Sequence, residues 1–468
     1  MIPEPTSAST QDAPLIDDTL GPSLTSERRR VVAATTVGTA IEWYDFFLYA
    51  ATAGLVFKQA MFAPLGSAAG TVVAFLTVGL SFLFRPLGAF LAGHFADKIG
   101  RRTVLLVTLL AMGGATTLIG LLPTYEAVGV LSPVLLVLLR IVQGISAGGE
   151  WGSAVLLAVE HAPAGKRGLF GAGPQIGAPA GLLLSSGALF LMNTIAPGGA
   201  FIEWGWRVPF LFSAVLVVLA WWVRKGVDES PVYSEMTEVS AAQVPNPMGT
   251  LFRNYFTVVL AGALLFAANS ILGYMTTGGY IQNYTTNPDG MAMERGPILF
   301  AVTVAGAVWM VSTFFTGWLS DHVGRKTTLV GGFIIQTAAA LALFPLVNTA
   351  EMSKIYAALV FLALALGFTY GQIAALYAEL FPASVRASGT SITYAIGAIL
   401  GGAFAPFIAS WIFEATGSSW GITAYLVGAS LIGLAVSLVI RERKDIPLDH
   451  EHEHMQRTGH FIWQPRSV

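Results

Sequence analysis

Apolar residues run through this chain in long blocks, each closed by a short polar or charged cluster. A helix that crosses the hydrocarbon of a bilayer needs about 20 mostly apolar residues. Twelve blocks reach that length, at roughly 31–57, 71–95, 103–122, 131–158, 168–195, 207–224, 255–282, 297–319, 327–347, 354–378, 387–413 and 420–440. Their continuous apolarity, with no two-residue alternation, excludes a transmembrane β-barrel and predicts an all-α integral membrane protein. Gly and Pro within the blocks do not argue against helix, because membrane helices tolerate both.

The longest polar gap, 225–253, opens with "KGVDESPVYSEMTEVS" and divides six blocks from six. The expected organisation is an N-terminal tail over 1–30, a six-helix bundle over 31–224 and a linker over 225–253. A second bundle over 254–440 and a tail over 441–468 complete it. Residues 1–27 are rich in Ser, Thr, Pro and Asp with no apolar core, so they read as a polar tail and not a cleavable signal. With the N-terminus inside, 19 of the 25 Lys and Arg residues fall on the cytoplasmic side. The positive-inside rule therefore predicts that both termini are cytoplasmic in a plasma-membrane protein.

Composition narrows the chemistry. Hydrophobic residues make up 54% and charged residues 11%, against about 25% charged in soluble domains. A net charge of −2 gives no attraction for nucleic acid. There is no cysteine, and the seven histidines fall in connecting loops or the tail. A membrane-embedded enzyme would need a nucleophile–base pair or a metal set, and no block supplies one. "AGKRG" at 164–168 lacks the Ser/Thr of a phosphate loop. No cofactor is expected. The expected partners are membrane lipid, protons and a small-molecule substrate, with the chain acting as a monomer.

The two halves repeat. "GHFADKIGRR" (Gly93–Arg102) follows the second block and "GWLSDHVGRK" (Gly317–Lys326) the eighth, an offset of 224 residues. Glu160 and Arg167 after the fourth block recur as Glu379 and Arg386 after the tenth, an offset of 219. These loops, with "RIVQG" (Arg140–Gly144), resemble the signatures of the major facilitator superfamily. "IEWYDF", "FLFRPLGA", "RIVQGISAGGEWGSA" and "WGWRVPFLFS" are similar to its metabolite:H⁺ symporter family, which includes shikimate, 2-oxoglutarate, citrate and proline/betaine carriers. The resemblance covers about residues 30–440. It implies two pseudo-symmetric six-helix bundles working by alternating access. It also implies a cytoplasmic gate at Gly93, Asp97, Gly100, Arg101 and Arg102, repeated at Asp321, Gly324 and Arg325.

Five formal charges lie well inside the blocks: Glu42, Asp45, Arg85, Arg140 and Glu150. At a rise of about 1.5 Å per residue they sit roughly 12–20 Å from the inner surface, so they share a depth. Each costs about 2.5–3.5 kcal/mol to insert. Three acids face two bases, which leaves one carboxylate without a counter-charge and able to take up a proton. Helical spacing puts Gly38, Glu42, Asp45, Tyr49 and Thr52 on one stripe of the first block. Arg140, Gln143, Ala147, Glu150 and Ala154 form another in the fourth. In carriers of the resembled family an acid of the first span works with the arginine of the "RxxQG" motif, which implies Asp45 and Arg140 here.

The second half carries no interior charge. Its neutral polar residues Asn269, Tyr280, Tyr370, Gln372 and Tyr394, with Tyr49, Gln143 and Gln175 of the first half, are the candidates for binding substrate. The expected function is proton-coupled uptake of a small organic acid, with a zwitterionic osmolyte such as proline or betaine as the alternative.

Overall fold

The computed structural model describes residues 22–99, 101–148, 150–160, 162–163, 165–225, 247–277, 279–288, 290–448 and 456. Helices follow the twelve apolar blocks. Span one is Pro22–Thr52, prolonged by a π-helical turn over Ala53–Phe57. Spans two and three are Gly66–Ile99 and Arg101–Leu121. Span four is Leu131–Ser146 followed by Glu150–Glu160, and spans five and six are Arg167–Ile195 and Arg207–Lys225. In the second half, span seven is Phe256–Thr277 with Tyr280–Thr286, and spans eight and nine are Arg295–Val323 and Arg325–Val347. Span ten is Met352–Tyr370 with Ile373–Leu380, span eleven Arg386–Ala398 with Ala405–Thr416, and span twelve Ser419–Val439. Among the described residues nine segments are long and apolar enough to cross a membrane, and Leu106–Leu121 and Leu131–Ser146 are apolar but shorter. Of the expected linker, 226–246 lies outside the described residues, and Pro247–Asn254 is a short helix.

Several helices run beyond their apolar blocks. Span two begins at Gly66 and span eight ends at Val323, because backbone hydrogen bonding continues to the next glycine, Gly66 or Gly324, each with φ above zero. Helix breaks recur in corresponding places. Span four is interrupted at Ala147–Gly148 and span ten at Gly371–Gln372, an offset near that of the sequence repeats.

Spans five and eight pack along one another and form the largest seam between the halves, while span one lies against span five. Small residues make this approach possible, as membrane interfaces require. Spans two and four touch backbone to backbone. A Cβ on Gly144 would press into the Ser81 carbonyl, and one on Gly88 into that of Ile145. Outward faces carry Leu121, Val130, Leu191, Val218 and Val311, all exposed, and Trp411 and Trp420 at one end form an aromatic fringe.

The close seam between spans two and four gives the first prediction. Gly144→Ala should destabilise the purified protein by about 1–3 kcal/mol through overpacking. Gly114→Ala, with nothing within 4 Å of the new methyl, should be neutral or stabilising. Thermal melts of the two variants in detergent make the comparison.

Candidate functional site

The close approach at Gly144 lets an arginine on span four reach main-chain acceptors on span two. Arg140 is 1% exposed, and it donates from Nε to the Thr77 carbonyl at 3.2 Å and from Nη2 to the Val78 carbonyl at 2.8 Å. Nη2 also donates to Ser81 Oγ at 2.7 Å, and Nη1 to Gln143 Oε1 at 2.7 Å. The guanidinium lies 3.9 Å from the centre of the Tyr49 ring, whose hydroxyl meets Thr77 Oγ1 at 2.6 Å. A guanidinium has five donors and cannot lose its proton. Neutral acceptors and a ring face take up most of that capacity here, and among the described residues Arg140 has no carboxylate partner.

The acids of span one lie apart from it. Glu42 faces Arg85 of span two at 3.8 Å, the single acid–base contact among the interior charges that the described residues show. Asp45, 2% exposed, accepts a 2.6 Å hydrogen bond from Ser213 Oγ of span six and lies within hydrogen-bonding reach of the Thr116 hydroxyl. No basic side chain among the described residues is within ion-pair distance of it. Thr116 in turn accepts from Gln143 Nε2 at 2.8 Å. Thr116 itself donates to the Met112 carbonyl at 3.0 Å. Asp45 and Arg140, which the family resemblance pairs, are not in contact, and Gln143 and Thr116 lie between them. Two small cavities meet at Met112: one is lined by Arg85, Arg140 and Gln143, the other by Glu42 and Asp45. The side chain of Glu150 lies outside the described residues.

Between the halves the centre is filled with rings. Trp151 of span four stacks on Tyr394 of span eleven, with centroids 3.5 Å apart and planes 12° from parallel, and Tyr394 stacks on Phe266 at 4.1 Å. Gln175 accepts from Trp151 Nε1 at 2.9 Å and donates to the Tyr370 carbonyl, so it ties the halves together. Tyr370 packs on Phe266 and Trp309. Asn269 donates to Thr369 Oγ1 at 2.7 Å and acts as a tie between spans seven and ten. Tyr280 belongs to an aromatic group with Phe75 and Tyr284 at the opposite end from Arg167. Gln372 donates to the Phe368 carbonyl, but its Oε1 has no partner among the described residues. Tyr274 Oη, Trp43 Nε1, Trp309 Nε1 and Arg85 Nε are buried in the same unpartnered state. Such atoms are costly unless a ligand or water satisfies them. Thr116 and Phe266 carry no sequence signal beyond their place on a helix, whereas Trp151 and Ser213 lie within the motifs "RIVQGISAGGEWGSA" and "WGWRVPFLFS" and could have been singled out there.

The residues of the second repeat that the resemblance names as a gate form one network. Asp321 accepts from the main-chain N–H groups of Gly168 and Leu169, at 2.7 and 2.8 Å, at the start of span five. A carboxylate there meets unpaired N–H groups and the positive end of the helix dipole. Arg325 pairs with Asp321 at 2.7 Å and holds Glu379 with a two-pronged contact at 3.1 Å. Arg167 approaches the same Glu379 at 3.8 Å and donates to the Ile446 carbonyl, and Arg386 joins Glu160 at 3.3 Å and the Leu448 carbonyl at 2.8 Å. Gly324 holds φ at 96°, with Glu442 directly against it. In the first repeat, Gly100 and the side chains of Asp97, Arg101 and Arg102 lie outside the described residues, as does the surrounding of Gly93.

Comparison with known proteins shows the family and the fold. The model of the Major Facilitator Superfamily matches residues 35–406. The chain is 37% identical to the inner membrane metabolite transport protein YhjE of Escherichia coli, covering 92% of this chain and 96% of that protein. It is 35% identical to the shikimate transporter of the same organism, covering 89% and 95%. Identity to the E. coli proline/betaine transporter is 27%, over 94% and 87%. A solved structure of the proton:xylose symporter XylE superposes with a TM-score of 0.70 at 17% identity, covering 92% of this chain and 99% of that one, and supports the fold.

The gate network yields the second prediction. Asp321→Asn keeps the size of the side chain but loses the negative charge shared by span five and Arg325, a loss of about 1–3 kcal/mol. The chain has no cysteine, so Ala374→Cys, buried against Gly171 at this seam, reports opening without competing thiols. Maleimide should label that cysteine at least about fivefold faster in the Asp321→Asn background, a shift in closure of about 1 kcal/mol.

Proposed function

Because this chain belongs to the Major Facilitator Superfamily, we propose that it couples proton entry to uptake of a small organic acid. It is a multi-pass secondary transporter and not an enzyme. The observation that carries proton coupling is Asp45, a buried acid hydrogen-bonded to Ser213 and with no basic partner among the described residues. A carboxylate in that setting can bind and release a proton as its surroundings change from wet to dry. The bundles over 31–224 and 254–440 would rock about the centre, exposing Asp45 and the ring-lined space to each side in turn. The end bearing Arg167, Arg325 and Arg386 is then the cytoplasmic one.

The likeness to the shikimate transporter favours an organic acid, and the two interior arginines suit a carboxylate. Gln372, Tyr394 and Tyr370 of the second half, with Gln175 of the first, are the polar groups best placed to read the remainder of the molecule. Asn269, Tyr49 and Gln143 are engaged in ties within the protein and would act by holding the site in shape. A zwitterion such as proline or betaine also presents a carboxylate, and its cation would suit the Trp151–Tyr394–Phe266 stack. A thermal-shift screen against organic acids and osmolytes separates the two readings.

Asp45→Asn imitates the permanently protonated acid. In proteoliposomes it should abolish substrate accumulation driven by a pH gradient while retaining exchange of labelled for unlabelled substrate. Accumulation at the wild-type rate would remove Asp45 from the coupling mechanism. Orientation is checked in whole cells with single cysteines. Glu351→Cys should react with an impermeant maleimide added outside, and Lys166→Cys should not.

A further inference from the structure

We propose that Arg85 is the group that binds the carboxylate of the substrate, and that Glu42 occupies its place in the empty carrier. This inference rests on the organic-acid symport reading and deepens it. Of the two interior arginines, Arg140 has its donors committed to the Thr77 and Val78 carbonyls, Ser81 and Gln143. Binding an anion there would dismantle the joint between spans two and four. Arg85 is in the opposite condition. Its contact with Glu42 is 3.8 Å, longer than a hydrogen bond, and its buried Nε has no partner among the described residues.

The surroundings of Arg85 form a receptacle that draws on both halves. Its guanidinium stands 4.6 Å from the ring centre of Phe82, 5.6 Å from Trp43 and 5.8 Å from Phe46. Phe46 and Phe82 also meet the ring of Tyr274, on span seven, each at 5.8 Å. The Tyr274 hydroxyl is buried and has no partner among the described residues. A small carboxylate at Arg85 would accept two parallel N–H bonds from the guanidinium, with the tyrosine hydroxyl as a further donor from the other bundle. Substrate would then join the two halves, which a carrier needs if only the loaded form is to close around it.

Glu42 explains the coupling. It lies one helical turn from Asp45, and both line one cavity beside Met112. The charged and titratable groups facing the Glu42–Arg85 pair are Asp45 on span one, Arg140 on span four, Tyr274 on span seven, Tyr370 on span ten and Tyr394 on span eleven. When a substrate carboxylate replaces it, Glu42 turns back to Asp45, and two adjacent carboxylates must share a proton. The charges balance. Among these four groups, leaving aside Glu150 whose side chain lies outside the described residues, Glu42 and Asp45 offset Arg85 and Arg140 when the carrier is empty. Loaded, the substrate contributes one negative charge and the proton-sharing acids one, against the same two arginines. One proton therefore accompanies each carboxylate.

Calorimetric titration of the purified full-length chain tests this, in buffers of differing ionisation enthalpy that read proton uptake on binding. The probes are a panel of small carboxylates including shikimate and benzoate, with benzamide as the uncharged counterpart of benzoate. Wild type should take up about one proton per bound carboxylate. Glu42→Gln should take up none and bind at least about tenfold tighter at neutral pH, because the competing charge is gone. Arg85→Gln should lose binding and Arg85→Lys recover it in part. Wild-type affinity in Arg85→Gln, or a full proton taken up by Glu42→Gln, overturns the inference and leaves organic-acid transport standing. If Arg85→Gln does not fold, the near-isosteric Glu42→Gln decides alone. If no carboxylate binds wild type, the organic-acid reading falls and takes the inference with it.

Discussion

A guanidinium inside a membrane protein cannot be neutralised, so the structure around it must supply acceptors in number and in place. Arg140 sets this demand at the centre of the first bundle. Two backbone carbonyls of span two answer it, and they are reachable because Gly144 and Gly88 remove the side chains that would hold spans two and four apart. The Tyr49 ring and Gln143 close the remaining sides. Through Gln143 that joint also fixes Thr116 of span three. Asp45 lies apart from it, hydrogen-bonded to Ser213 of span six.

The all-helical plan was legible from the sequence, because apolar length is a property of whole segments. The duplication was legible for a similar reason: the Asp–Gly–Arg spacing survives in both loops, and the second copy builds the network of Asp321, Arg325 and Glu379. Partnerships inside the membrane were harder to read. Helical spacing put Glu42 and Asp45 on one face, but it cannot tell that three residues of rotation send one toward Arg85 and the other toward Ser213. Polar residues such as Asn269 and Gln143 looked alike in sequence. Only packing separates a tie between helices from an atom left without a partner, such as Gln372 Oε1.

The two ends of the molecule are closed by different physics. At the basic end, closure rests on charge: a carboxylate capping span five, a two-pronged arginine–glutamate contact, and arginines of both halves donating to the carbonyls of Ile446 and Leu448. At the opposite end, closure rests on contact between small residues and rings. A Cβ on Gly54 would strike the Gly279 carbonyl, one on Gly79 would strike Ala403, and Lys58 reaches Asn287 at 2.9 Å.

These two kinds of closure respond differently to a bound molecule. Close-packed backbones separate only as a body, so the outer seam opens when a whole bundle rotates and offers little resistance that depends on charge. The charged seam gives up several strong hydrogen bonds as it opens, and water entering the gap replaces part of their worth. Opening toward the basic end therefore carries a cost set by specific groups and tunable one residue at a time. In a carrier that must hold a captured substrate against its gradient, this is the side on which release has to be controlled. Under the proposed exchange of Glu42 for substrate at Arg85, the charge of these groups is the same empty and loaded, so neither crossing adds an electrostatic penalty from them.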